Sequence, residues 1–121
     1  ISEATYEKLK QEIGAELQVK EKTLNDELER MSKEVQAQIK DVEAKIVILE
    51  LQKQSEMKLF EELEGCYLSK QITQKEYKKR KVSHKKAMES INAQTSGTRE
   101  ELKQLEGCLE SLNRILHRSM S

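Results

Sequence analysis

Residues 69–77 have the sequence Ser-Lys-Gln-Ile-Thr-Gln-Lys-Glu-Tyr and separate two long periodic stretches of the chain. Thr73 and Glu76 have the spacing of a capping box, in which the hydroxyl and the carboxylate satisfy the first free backbone N–H groups of a helix. Ile72 and Tyr77 have the spacing of a hydrophobic staple around that cap. The pattern predicts a turn and a new helix after it. The alternative is a chance Thr-x-x-Glu inside one continuous helix.

The sequence before the turn repeats its apolar residues with the period of an α-helix. From Leu24 to Leu49, seven apolar steps cover 25 residues, which is a mean of 25/7, or 3.6, residues per step. This is the α-helical period, and it is slightly longer than the 3.5 of a strict heptad, so we expect little left-handed supercoil here. The stripe has an earlier part, which consists of Tyr6, Leu9, Ile13 and Leu17.

The sequence after the turn alternates strictly in steps of four and three from Tyr77 to Leu116. The alternation continues through residues 94–97, Gln-Thr-Ser-Gly, which alone would resemble a loop, and Thr98 begins a second Thr-x-x-Glu pattern. A loop seldom preserves the heptad phase, so we favour one helix that is weak or bent near Gly97. Three shorter helices are the alternative.

The composition suits a narrow seam between helices and not a round core. Charged residues make up 36% of the 121 residues and aromatic residues 3%, and the chain has no proline. Disorder is the competing interpretation of such a composition, but the periodic apolar residues argue against it. Residues 1–65 hold 10 Lys/Arg and 16 Asp/Glu, net −6, whereas residues 66–121 hold 12 and 6, net +6. Two halves of opposite net charge favour pairing with each other.

We therefore predict an all-α fold, a long antiparallel coiled-coil helical hairpin that is oligomeric. Residue i should lie opposite residue 144 − i, which places Tyr67 by Tyr77 and Phe60 by His84. A dimer of unbroken helices is the rival architecture. The predicted divisions are an overhanging N-terminal part of helix 1 (1–25), helix 1 of the hairpin (26–68), a turn (69–73), and helix 2 (74–118), possibly bent or broken near 94–98.

Two groups of apolar residues have no partner in this hairpin. The first lies in the overhang, which extends by about 37 Å at ~1.5 Å per residue and is marginal as an isolated helix. The second makes helix 1 apolar on more than one side, and it lies opposite small residues near Gly97; a locally wide stripe is its simpler explanation. The predicted partner interface consists of Tyr6, Leu9, Ile13, Leu17, Val47, Ile48 and Leu51.

A basic run begins helix 2 and consists of Lys75, Lys78, Lys79, Arg80, Lys81, Lys85 and Lys86. The simplest interpretation is neutralisation by the acidic face of helix 1, at Glu61, Glu62 and Glu64. One alternative is a nuclear-import signal at residues 78–81. The other is contact between the hairpin tip and an acidic surface, such as nucleic acid, a microtubule or anionic lipid.

The sequence shows no constellation that would carry catalysis or hold a cofactor or metal. Cys66 and Cys108 lie far apart along the predicted hairpin, so we expect two partly buried free thiols and an intracellular setting, cytoplasmic sooner than nuclear. Neither cysteine is expected near a histidine, and His84 is expected to pack in the seam. No apolar run approaches the ~20 residues of a membrane span, and no secretory signal is visible.

The predicted function is a non-catalytic, coiled-coil structural or scaffolding segment of a larger protein. It would mediate homodimerisation or bind a helical partner protein. The alternative is a binding module at the hairpin tip, whose basic run contacts an acidic surface. We expect no small-molecule substrate.

Overall fold

The computed structural model describes the backbone of residues 2–120 and the side chains of residues 2–118. The chain forms two α-helices, α1 (Glu3–Leu68) and α2 (Gln74–Met120). They make extensive contact with each other, which confirms the predicted helical hairpin.

Helix α1 ends in a Schellman motif. The N–H of Gln71 donates to the carbonyl of Cys66 at 2.8 Å, and the N–H of Lys70 donates to the carbonyl of Tyr67 at 3.1 Å. Lys70 has φ = 63°, the left-handed conformation that such a motif requires after the helix. The Ser69 hydroxyl donates to the carbonyls of Gly65 and Cys66 at 2.9 and 3.2 Å. The carbonyls of Gly65, Cys66 and Tyr67 are therefore satisfied within the turn.

Helix α2 begins at a threonine cap, but only half of the predicted capping box forms. The Thr73 hydroxyl accepts a hydrogen bond from the N–H of Glu76 at 3.2 Å. The Glu76 carboxylate accepts instead from Arg80 Nε at 3.0 Å, one turn further along α2. A charged hydrogen bond on the helix surface has thus replaced the expected return contact to the cap.

Helix α2 continues through Gly97, in agreement with the favoured interpretation. The hydroxyl of Thr98 donates to the carbonyl of Gln94 at 2.7 Å, and that of Thr95 donates to Ile91 at 2.8 Å. These bonds to the preceding turn are typical of threonine inside a helix. The second Thr-x-x-Glu pattern is therefore not a helix start, and the three-helix alternative is wrong.

The chain divides into two compact units. The tip unit comprises Gln38–Leu105 and contains the turn. The end unit combines the residues of α1 up to Ala37 with the residues of α2 from Glu106 on. Each unit therefore includes a segment of both helices.

In the tip unit, the side chains between the helices recur in steps of three, four or seven. Apart from Cys66, the buried or half-buried positions on α1 are Ile39, Val42, Ile46, Leu49, Glu56, Phe60, Leu63 and Tyr67. Those on α2 include Tyr77, His84, Met88, Ile91, Thr95, Thr98, Leu102 and Leu105. The spacing on both helices averages 3.5 residues, and between Ile39 and Leu49 the covered positions are those of the predicted stripe.

Two ring pairs fix the register of the tip unit. The rings of Tyr67 and Tyr77 stack with centroids 4.3 Å apart, and those of Phe60 and His84 stack at the same distance. Both pairs were predicted, and both are confirmed. His84 Nδ1 also lies 2.9 Å from a carboxylate oxygen of Glu56, whose side chain is 24% exposed.

In the end unit, Leu28, Ser32 and Leu112 are buried. Met31 was expected in the seam but is 44% exposed, whereas its neighbour Ser32 is 6% exposed. The 3.5-residue repeat explains this, because steps of four and three from Leu28 lead to Ser32 and then to Val35. The seam thus contains a small polar side chain where the sequence stripe has a methionine.

Candidate protein-interaction surfaces

The apolar residues near the start of α1 are exposed. We call Tyr6, Leu9, Ile13, Leu17 and Leu24 the N-terminal stripe, and their exposed fractions run from 46% to 60%. They lie at spacings of three, four, four and seven residues, so they share one face of the helix. No described side chain between residues 2 and 24 is buried. The stripe therefore presents an apolar face to the solvent, interrupted by Lys20 and Glu21 between Leu17 and Leu24.

The three central residues predicted as partner interface are also exposed, and they are neighbours on the surface of α1. Val47 and Ile48 are each 54% exposed and Leu51 is 59% exposed. Ile48 lines a groove between the helices together with Gly97 and Thr98. Leu51 lines a separate depression on α1. Only Ile48 therefore adjoins α2 in a concave site.

The tip unit carries two grooves. The central groove has a volume of ≈ 400 Å³, with Ile48, Leu49, Gly97 and Thr98 among its lining residues. The tip groove has a volume of ≈ 500 Å³, and its lining includes Leu59, Leu63, Cys66 and Ala87. Both grooves have a mainly apolar base, which is the usual character of a site that takes apolar side chains.

Both grooves lie on one side of the seam, which we call the grooved flank. Their rims form two rows with a spacing of seven residues, the repeat of the seam itself. The row on α1 is Lys45, Gln52, Leu59 and Cys66, and the row on α2 is Arg80, Ala87, Gln94 and Glu101. Five of these eight residues carry no charge, so a partner helix could lie along this flank with little desolvation of ions.

The opposite side of the seam, the charged flank, has a different composition. Its rows, again seven residues apart, are Glu43, Glu50, Met57 and Glu64 on α1 and Lys78, Lys85, Asn92 and Arg99 on α2. Arg99 donates to Glu50 across the helices at 3.1 Å. The two residues are 62% and 52% exposed, and an ion pair so exposed contributes only ~0–1 kcal/mol. This flank is solvated.

The structure separates the basic run into two parts. Arg80 is ion-paired to Glu76 at 3.0 Å, and Lys81 Nζ lies 5.9 Å from the centroid of the Tyr77 ring. The other five lysines lie at spacings that put them on one face of α2 around Val82, which is 55% exposed. We call this the lysine face, and it consists of Lys75, Lys78, Lys79, Lys85 and Lys86, all exposed.

The expected ion pairs between this run and the acidic face of α1 do not form. Among the described residues, no salt bridge joins the run to Glu61, Glu62 or Glu64. Lys75, Lys79 and Lys86 lie on the side of α2 away from Tyr77 and His84, which mark the seam. Arg80 is paired with Glu76 instead.

The two cysteines differ in their burial. Cys66 is half-buried and Cys108 is exposed, so the expected partial burial is wrong for Cys108, and both thiols are free. Cys66 lines the tip groove together with His84, in contrast to the expected separation. Within residues 2–118, no group of three His, Cys, Asp or Glu side chains could hold a metal ion.

The sequence reasoning missed the grooved flank. The signal is present as two rows of mainly uncharged residues, but it emerges only when the 3.5-residue repeat and the register are known. The lysine face could have been found, because its spacing of three, four, ten and eleven residues from Lys75 is visible in the sequence.

Neither described helix has a stretch apolar enough to cross a membrane. Comparisons of the chain with models of protein families, with curated proteins and with solved structures found no match. The functional argument therefore depends on the surfaces of the chain itself.

Proposed function

We propose that this chain is a non-catalytic coiled-coil scaffolding segment that associates with a second copy or with a helical partner through the N-terminal stripe. The 3.5-residue spacing of the seam supports the coiled-coil assignment. The two free cysteines favour an intracellular setting, and we favour the cytoplasm over the nucleus.

The observation that carries the proposal is the exposure of the N-terminal stripe. Fully burying a Leu, Ile or aromatic side chain contributes about 1.5–3 kcal/mol, so covering a half-exposed one contributes ~1 kcal/mol. The five side chains together offer enough to favour association, whereas a solitary amphipathic helix is marginal in water. A helix of this kind is typical of an interaction segment.

The test is sedimentation equilibrium of the full chain and of a variant with four stripe residues, Tyr6, Leu9, Ile13 and Leu17, changed to Gln. If the stripe mediates self-association, the wild-type chain sediments as a dimer or larger species and the variant as a monomer. If both are monomeric, the partner is a different protein. The same pair of chains then serves as bait, and a helical partner should bind the wild type alone.

Val19→Gln is the matched control. Val19 lies in the same helix segment and is 65% exposed, but it is outside the stripe. This variant should keep the wild-type mass. Equal masses for the wild type and the four-residue variant, with no partner that distinguishes them, would contradict a role for the stripe.

A second candidate function is binding of the hairpin tip to an acidic surface, and the lysine face favours it. Five lysines of one face have no salt bridge within the described residues, and they lie within 12 residues of α2, a length of ~17 Å. Anionic lipid is the surface we favour, because a planar surface can meet all five ammonium groups together and Val82 can enter the interface. Each lysine near such a surface contributes ~1 kcal/mol.

Co-sedimentation with vesicles of neutral lipid that contain phosphatidylserine tests this candidate. Changing Lys78, Lys79, Lys85 and Lys86 to Gln should abolish binding at low salt. The matched control changes Lys8, Lys10, Lys20 and Lys22 to Gln, which removes the same charge from α1. Equal binding by the two variants would contradict a role for the lysine face, and binding to duplex DNA but not to vesicles would replace lipid by nucleic acid.

A further inference from the structure

The N-terminal stripe and the grooved flank match each other in length. The helical segment that carries the stripe, residues 3–24, is 22 residues long, and the two grooves extend along α1 from Lys45 to Cys66, which is also 22 residues. Each corresponds to ~33 Å of helix. A helix with this stripe can therefore cover both grooves at once.

We infer that the stripe of one chain docks on the grooved flank of a second copy, and that the docking is reciprocal. This inference rests on the proposed function and identifies its partner as the same chain. Both surfaces are present once in every chain, so two copies can cover two stripes and two flanks. The result is a closed dimer with two-fold symmetry, in which the same patch is used by both subunits.

Two-fold symmetry decides the direction of the docked helix. The start of each α1 must lie on the later part of the other α1, and this holds for both copies together only when the two helices run antiparallel. Tyr6 then lies near Leu63 and Cys66 of the second copy, and Leu24 lies near Lys45. The docked segment becomes a third helix beside the α1–α2 pair.

The area of the reciprocal contact is sufficient for a stable dimer. A docked helix ~33 Å long and ~10 Å wide covers about 330 Å² on each partner, so two docking events bury about 1,300 Å² in total. A specific interface generally needs at least about 1,000 Å². A single docking event would remain below that value, so reciprocity is required for stability.

Cross-linking between two differently tagged full-length chains tests the inference. The first chain carries Tyr6→Cys with Cys66→Ser and Cys108→Ser, and the second keeps its native Cys66 with Cys108→Ser. After mixing and re-equilibration, a short bis-maleimide should link the two chains through these cysteines and give a covalent product that carries both tags. The product should disappear when the second chain also carries Cys66→Ser.

Leu24→Cys in the first chain is the matched control. It is in the same stripe and equally exposed, but in the antiparallel dimer it lies ~30 Å from the second copy's Cys66, so it should give no product. A product from Leu24→Cys and none from Tyr6→Cys would overturn the closed antiparallel dimer.

Sedimentation equilibrium of the same chains separates this inference from the proposed function. A dimer that gives no cross-link to Cys66 from Tyr6→Cys or from Leu24→Cys supports self-association but overturns the docking on the grooved flank. A monomer at all concentrations overturns the docking, and only the part of the proposed function that invokes a different helical partner survives. A dimer with the Tyr6→Cys product supports both.

Discussion

The seam of the tip unit and the N-terminal stripe have the same kind of sequence but different surroundings. On α1, both consist mainly of apolar residues at helical spacing. Leu63 in the seam is 9% exposed, whereas Leu17 in the stripe is 56% exposed. The difference shows that periodicity establishes an amphipathic helix but does not establish what covers its apolar face.

The largest expected difference between the two regions is the effect of removing a leucine. Leu63→Ala should lower the free energy of unfolding by about 2–3 kcal/mol, because a buried side chain is lost and a cavity remains. Leu17→Ala should change it by less than ~0.5 kcal/mol in dilute, monomeric protein. Urea denaturation followed by circular dichroism measures both. Equal losses would show that the stripe is covered within the monomer.

The ring pairs provide the next comparison. A double-mutant cycle with Tyr67→Ala and Tyr77→Ala should give a coupling energy of about 0.5–1.5 kcal/mol, because the rings stack at 4.3 Å. Tyr6→Ala combined with Tyr77→Ala is the control cycle, and its coupling should be zero in the monomer. No coupling in the first cycle would contradict the register of the tip unit.

Two helix-interior glycines offer a smaller contrast. A Cβ added at Gly97 or at Gly14 would meet no atom within 4 Å, so alanine fits at both positions. Gly97→Ala should raise the free energy of unfolding by about 0.5–1 kcal/mol through helix propensity. Gly14→Ala should increase helix content without shifting the main unfolding transition, because its segment lacks a covering helix. Thermal scans of both variants distinguish the two effects, and a shift of that transition by Gly14→Ala would show that the segment unfolds with the hairpin.

The smallest effect is expected at the turn. Lys70 adopts φ = 63°, a conformation that is unfavourable by ~1–2 kcal/mol for a residue with a side chain. Lys70→Gly removes this strain but adds chain entropy to the unfolded state, so a net gain of a few tenths to about 1 kcal/mol is expected. Ser69→Gly is the control and should be destabilising, since the Ser69 hydroxyl bonds two carbonyls of α1. A gain for Ser69→Gly would contradict this account of the turn.

The hairpin and its register near the turn could be predicted from the sequence because local signals agree there. Thr73 provides a cap, and aromatic residues face each other at equal distances from the turn. Further from the turn, apolar character alone placed a residue in the predicted stripe, so Met31 was expected in the seam. Ser32 occupies that position instead, because steps of four and three lead to it from Leu28.

The interaction surfaces were only partly predictable. The exposed fractions of Tyr6 and Leu17 depend on where α2 ends relative to α1, which the sequence indicates. The grooved flank depends on which side of the seam each row faces, and single-chain periodicity does not contain that information. The separation of Arg80 and Lys81 from the lysine face likewise depends on individual side-chain contacts, those of Arg80 with Glu76 and of Lys81 with the Tyr77 ring.

The seam described above has no side chain that is more than 98% buried among the described residues. Each layer consists of one side chain from each helix and keeps an edge toward water. The cohesion of the tip unit is therefore distributed along its seam, with no single centre. Amide hydrogens near Val42 and Leu49 should exchange more slowly than those of residues 3–24, where no described side chain is buried.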